Sequence, residues 1–217
     1  MEYAKNKFQK KLFLNFIVIT FSRLLLNTSR RFVYTFAAAF SRGLGVPLTS
    51  ITSLIAVNQG TSVLGIFFGP LGDRLGYKFM ILIGMSFLAV GMLAAGILPF
   101  YWVIAIAMLL SGLGKSIVDP AIQAYVGQRV PYRRRGLIIG MMEFAWAGST
   151  LIGIPLMGLL IEKLGWQAPF IAIGLMALIS VILVAALFPS DQKQKRQAYR
   201  LQETLILWKQ ILTNRSA

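Results

Sequence analysis

The chain has 217 residues, 57% of them hydrophobic and only 13% charged, with a formal net charge of +15. That leaves too little polar surface for a soluble domain of this size, and the long apolar runs predict an all-α, multi-pass membrane protein in a lipid bilayer. There is no Cys and no His, which removes disulfides, thiolate nucleophiles and iron–sulfur clusters and argues against a zinc site; no cofactor or metal is expected, and a nucleic-acid partner is disfavoured because the basic residues fall between apolar segments rather than on a soluble face.

In chain order, residues 1–12 form a basic N-terminal segment with Lys5, Lys7, Lys10 and Lys11, and no small-residue cleavage site of a signal peptide follows the first apolar run. Residues 43–72, 79–114, 144–161 and 164–190 carry no charge. A spanning helix needs about 20 mainly apolar residues, and Pro99 supplies a turn inside the second of these stretches. The expected helices lie at roughly 13–41, 51–71, 79–98, 101–126, 136–160 and 168–189, a six-helix domain over 13–190. Residues 191–217 place Leu201, Leu205, Trp208 and Leu212 at helical spacing among basic residues, which predicts an amphipathic helix lying along the membrane surface.

With the N-terminus inside, sixteen of the 22 Lys and Arg fall on the cytoplasmic side, against Arg42 and Lys163 outside. By the positive-inside rule this puts both termini in the cytoplasm, of a bacterial-type inner (cell) membrane.

The first helix holds "FSRLLLNTSRRFVY", residues 21–34, with Arg23, Arg30 and Arg31 inside an apolar region. At about 100° per residue, Arg23, Asn27, Arg30 and Tyr34 share about 60° of arc, with Arg31 offset by about 80° from Arg23. A charge at mid-bilayer costs at least about 2.5–3.5 kcal/mol, so such residues face a cavity or a partner. One reading makes this stripe the lining of a polar cavity that attracts an anionic group. The other starts the helix near residue 24 and lets the arginines snorkel to the headgroups. Three more charges lie within spans. Lys115, a further candidate cavity residue, and Asp119 form an i, i+4 pair, with Asp119 open equally to a structural ion pair and to a proton-carrying role, while Glu143, without a local partner in the sequence, is slightly favoured as the proton carrier, because burial raises a carboxyl pKa. Trp146, one turn on, reads as packing.

Between the second and third helices stands "GPLGDRLGYKFM", residues 69–80. Its Gly-x-x-x-Asp-Arg-x-Gly-x-Lys pattern resembles the signature loop of the major facilitator superfamily, carried by Gly69, Asp73, Arg74, Gly76 and Lys78. The resemblance implies that this loop locks one access state and is not the substrate site. "AYVGQRVPYRRRG" and the Gly/Pro-rich "GSTLIGIPLMG" resemble a basic loop and the fifth helix of the family's export branch. Two positions depart from it: Met108 stands where that branch usually has an Arg, and Gln128 near where an acid often partners the signature loop.

An internal repeat supports the same reading. "GPLGDRLGY" (69–77) matches "GLLIEKLGW" (158–166) at an offset of 89. The unit is three helices, so the copies face opposite sides of the membrane, a 3+3 inverted repeat forming half of the family's fold. The expected function is therefore a half-length secondary transporter, or the N-terminal half of one. It would move small organic solutes, with anionic substrates and proton coupling as expectations, through a cavity completed by a second six-helix half (a homodimer or a separate C-terminal half). The alternative is a non-transporting truncated or assembly protein of the same fold. An enzyme is not expected.

Overall fold

The computed structural model describes residues 2–189, with side chains described over 14–189 apart from Arg134. The amphipathic helix expected over 191–217 lies outside the described residues. Among those residues the chain is helical throughout, without strands. Helix α1 (Glu2–Thr35) ends at Phe36, where the chain bends into α2 (Ala37–Leu44). The single helix expected over 13–41 is thus divided. Beyond the bend, Phe40 packs edge-on against Phe32, Phe170 and Trp166, with ring centroids 5.6, 5.3 and 6.4 Å away. Gly45, at φ +65°, closes α2, and Pro47 leads into α3 (Leu48–Gly60).

A 3₁₀ turn, Thr61–Leu64, joins α3 to α4 (Gly65–Leu75). Helices α5 (Tyr77–Ile97) and α6 (Tyr101–Arg129) follow. Helix α7 (Tyr132–Gly148) runs through a π segment, Ser149–Gly153, into α8 (Ile154–Leu164), and α9 (Ala168–Leu187) is last. The π segment sits just before Pro155. A proline removes one i→i−4 hydrogen bond and crowds the preceding turn, which widens it.

Among the described residues, five stretches are long and apolar enough to cross a membrane: Leu48–Leu75, Tyr77–Ile97, Tyr101–Arg129, Arg135–Leu164 and Ala168–Leu187. Helix α1 is not among the five, and it is the element that carries Arg23, Arg30 and Arg31.

Helix α5 lies at the centre of the core, packed chiefly on α6 and α9, with Met80, Ile81, Met85, Leu88 and Met92 buried. The α5–α6 crossing is set by backbone against backbone. A Cβ on Gly84 would meet the Gly114 carbonyl oxygen at 2.7 Å, and one on Gly114 would meet that of Gly84 at 2.5 Å. Helix α1 packs on α6, α7 and α9. Buried hydroxyls also tie it to its neighbours, Ser22 with Ser180 at 2.6 Å and Ser29 with Ser111 at 3.1 Å.

The repeated segments share a backbone feature. Gly76 and Gly165, 89 positions apart, have φ of +97° and +92°. Each N–H bonds the carbonyl four residues back, Gly72 at 2.9 Å and Ile161 at 3.1 Å. Only glycine takes such a φ without strain.

Candidate functional site

Three helices converge on one ionic network. Lys115 and Asp119, a turn apart on α6, are 2.8 Å apart, the i, i+4 pair expected from their spacing. The Lys115 ammonium also donates to Asn27 Oδ1 on α1 at 2.8 Å. From α1, the Arg23 Nε approaches Asp119 Oδ1 at 3.7 Å, and its Nη1 donates to Glu143 Oε1 on α7 at 3.4 Å. Glu143 has no partner among its sequence neighbours; the one it meets, Arg23, lies 120 residues away. The network is graded in exposure: Arg23 and Lys115 are largely buried, Asp119 less so, and the Glu143 side chain is 59% exposed.

The arginine stripe does not form one surface. Asn27 is buried, whereas Tyr34 is 72% exposed. Arg30 and Arg31 part from α1 toward different neighbours. The Arg30 Nη2 donates to Gln59 at the end of α3 and, at 2.6 Å, to Ser62 Oγ in the 3₁₀ turn. The Arg31 Nη1 donates to Thr150 Oγ1, and at 3.4 Å to Ser149 Oγ and the Trp146 carbonyl. Its guanidinium carbon stands 4.2 Å from the centroid of the Trp146 ring, a cation–π distance. Trp146 is 56% exposed, so it is a platform for Arg31 rather than a packing residue. Sequence reasoning left Arg31, Gln59, Ser62, Ser149 and Thr150 out of the site. The signal in the sequence was limited to the neighbouring glycines, Gly60 after Gln59 and Gly148 before Ser149.

At one end of the bundle the signature-loop residues tie four elements together. Asp73, near the end of α4, accepts a hydrogen bond from the Tyr77 hydroxyl at the start of α5, which in turn accepts one from Gln128 Nε2 of α6 at 2.9 Å. Where an acid often stands, Gln128 joins a hydrogen-bonded chain through Tyr77 to Asp73. The Lys78 ammonium donates to the carbonyls of Ala185 and Phe188 at 2.8 and 2.7 Å, holding the C-terminal turn of α9, where the helix dipole favours a cation. Arg74 is exposed at the same end, and Gly69 and Gly76 flank the loop. Met108 is fully buried and its carbonyl accepts from Asn58 Nδ2 at 2.7 Å. That position thus serves helix packing.

A charged network among apolar helices defines an integral membrane protein with a polar interior. The chain matches the Major Facilitator Superfamily over residues 14–217, and it belongs to that family. It is 28% identical over 127 residues to an uncharacterized MFS-type transporter, YwfA, of Bacillus subtilis, covering 56% of this chain and 31% of that protein. It is 36% identical over 97 residues to the multidrug resistance protein MdtH of Shigella flexneri, covering 45% of this chain and 23% of that protein. In fold it is similar to a crystal structure of a peptide transporter, POT, in complex with sulfate, with a TM-score of 0.70 at 16% identity, over 94% of this chain and 44% of that one. The chain therefore spans less than half the length of the relatives it matches. These relatives are transporters, not enzymes.

Proposed function

We propose that the described helices form one six-helix unit of a secondary transporter that moves small organic solutes across the membrane, with α1–α2 as the first of the six. The observation that carries this reading is the ionic network itself. Arg23, Lys115, Asp119 and Glu143 come from three different helices, and charges are kept inside a bundle of apolar helices where they serve solutes or protons. The matching backbone at Gly76 and Gly165 supports a 3+3 inverted repeat. The basic residues Arg74, Lys78, Arg129 and Arg133, gathered where α4 meets α5 and α6 meets α7, support a cytoplasmic placement of that end in a cell membrane.

A second six-helix unit completes the transporter in this proposal. Stretches Leu48–Leu75 and Arg135–Leu164 are the least buried of the five spans, at 22% each, and they flank Arg30 and Arg31. They are the faces offered to a partner, whether a second copy or another half. The signature loop, with Asp73, Arg74 and Lys78, acts as the lock of one access state. The multidrug resistance relatives favour export as the direction.

Glu143, more exposed than Asp119 and held only by Arg23, is the proposed proton carrier. The test uses the purified full chain in liposomes with an imposed pH gradient, following organic anions, cations and neutral solutes. Gradient-driven flux that becomes independent of the gradient in Glu143→Gln is the expected result. Retained dependence would exclude Glu143 as the carrier, and absence of flux for every solute would favour a non-transporting membrane protein of the same fold.

A further inference from the structure

Among the described residues, the ion pairs of the network end at Arg23 and Lys115; no carboxylate lies within 4.0 Å of Arg30 or Arg31. Asp119 and Glu143 are ion-paired to Lys115 and Arg23, and Arg30 feels Asp119 only beyond ion-pair distance, so the four cations exceed the two carboxylates by two charges. The groups that do hold these two arginines are neutral: Gln59 and Ser62 for Arg30, Ser149, Thr150 and a backbone carbonyl for Arg31. Each set engages a single terminal nitrogen. A guanidinium has five N–H donors, and the Arg30 Nε is buried without a hydrogen-bond partner. Both groups are oriented and underused as donors, and neither forms an ion pair.

Their placement adds shape to this charge. The two side chains leave α1 about 100° apart, one toward α3 and the 3₁₀ turn, the other toward α7 and the π segment. Two exposed aromatic faces border them, Tyr34 one turn further along α1 and the Trp146 indole beneath Arg31.

We propose that the site takes a small organic dianion with its two acid groups at opposite ends of a flat apolar body, one acid on Arg30, the other on Arg31, and the body against Tyr34 and Trp146. The proposal rests on the transporter reading above and names its substrate class. A carboxylate meets a guanidinium as a bidentate pair, and a dianion neutralises the excess of two charges that a monoanion only halves.

The test is isothermal titration calorimetry on the full chain in mild detergent with three probes of similar size: terephthalate, benzoate and benzyltrimethylammonium. Terephthalate is expected to bind roughly tenfold or more tighter than benzoate, since a second charge-assisted contact contributes that much, with no binding of the cation. Arg30→Gln and Arg31→Gln should each bring terephthalate down to the benzoate level. Arg30→Lys, which keeps the charge and loses the fork, should fall in between. Equal affinity for the two acids, tighter binding of the cation, or unchanged affinity in both Gln variants would each overturn the proposal. Liposome flux separates this from the transporter reading. Flux of cationic solutes by a chain that does not bind terephthalate would sink the substrate class alone, whereas terephthalate binding without flux of any solute would sink transport alone.

Discussion

Asp119 touches both buried cations of the network, Lys115 at 2.8 Å and Arg23 at 3.7 Å, whereas Glu143 makes one 3.4 Å contact from a side chain that is 59% exposed. Removing one partner of a largely buried pair leaves an uncompensated charge and costs about 3 kcal/mol or more, whereas a solvent-facing pair is worth under about 1 kcal/mol. Asp119→Asn is therefore expected to lower the melting temperature of the detergent-solubilised chain clearly, and Glu143→Gln scarcely, as read by thermal unfolding. Equal effects would mean that the two carboxylates share the load. A second expectation concerns Tyr77, buried with its hydroxyl between Gln128 and Asp73. Tyr77→Phe removes the hydroxyl that joins Gln128 to Asp73 and should cost about 1–3 kcal/mol, whereas Tyr34→Phe, at an exposed position, should cost nothing measurable by the same assay.

At this scale legibility followed sequence distance. The Lys115–Asp119 pair is local, so helical periodicity alone places the two side chains together. Arg23 and Glu143 are separated by 120 positions, and nothing in the spacing of either reports the other. The arc that grouped Arg23, Asn27, Arg30 and Tyr34 measured direction around one helix. It carried no information on where neighbouring helices stand, so it could not tell a buried Asn27 from an exposed Tyr34.

Helix crossings follow where side chains are missing. Gly84 and Gly114 let α5 and α6 approach until each carbonyl occupies the space of the other's Cβ, the small-residue packing typical of membrane bundles. Backbone atoms cannot step aside as a flexible side chain can. Gly114→Val should therefore reduce the monodisperse fraction in size-exclusion chromatography sharply, while Gly140→Val, which has open space around it, should not.

The two left-handed turns make a similar contrast with a different cause. Gly76 and Gly165 both sit at positive φ.

 A Cβ at Gly165 would meet open space, so the strain of a substitution there comes from the backbone alone. An L-residue in that conformation costs about 1–3 kcal/mol, and Gly165→Ala should lower thermal stability by that amount, as measured by unfolding in detergent. Element boundaries were the less legible part. The interruptions at Phe36, Thr61–Leu64 and Ser149–Gly153 fall inside runs whose hydropathy reads as continuous helix. Hydropathy averages over side chains, while helix type depends on which backbone carbonyl each N–H reaches.

Across the whole molecule, large apolar side chains such as Val90, Ile106, Leu178 and Ile182 stand exposed on α5, α6 and α9, a surface suited to lipid. Phe67 and Phe144, 70% and 72% exposed, lie on the two least buried spans. If a second copy covers them, the Phe67→Cys/Phe144→Cys double variant should cross-link two chains in membranes treated with a short bismaleimide. A Val90→Cys variant, on the lipid-facing side of α5, should not. The chain has no native cysteine, so the readout on a denaturing gel is unambiguous. Equal cross-linking by Val90→Cys would remove the homodimer and point to a partner on another chain.

The sequence by itself determined the solvent of this protein, its helical class and its family, because charge-free runs of membrane length and the Gly69–Lys78 pattern are local properties of the chain. It also located the repeat, since a copied segment leaves a copied glycine. Only the tertiary structure decided which charges meet. It paired Arg23 with Glu143 and Asp119, turned Arg30 and Arg31 apart, and joined Gln128 through Tyr77 to Asp73. Such contacts join residues far apart in sequence, and their geometry is fixed by where the helices cross rather than by the residues on either side.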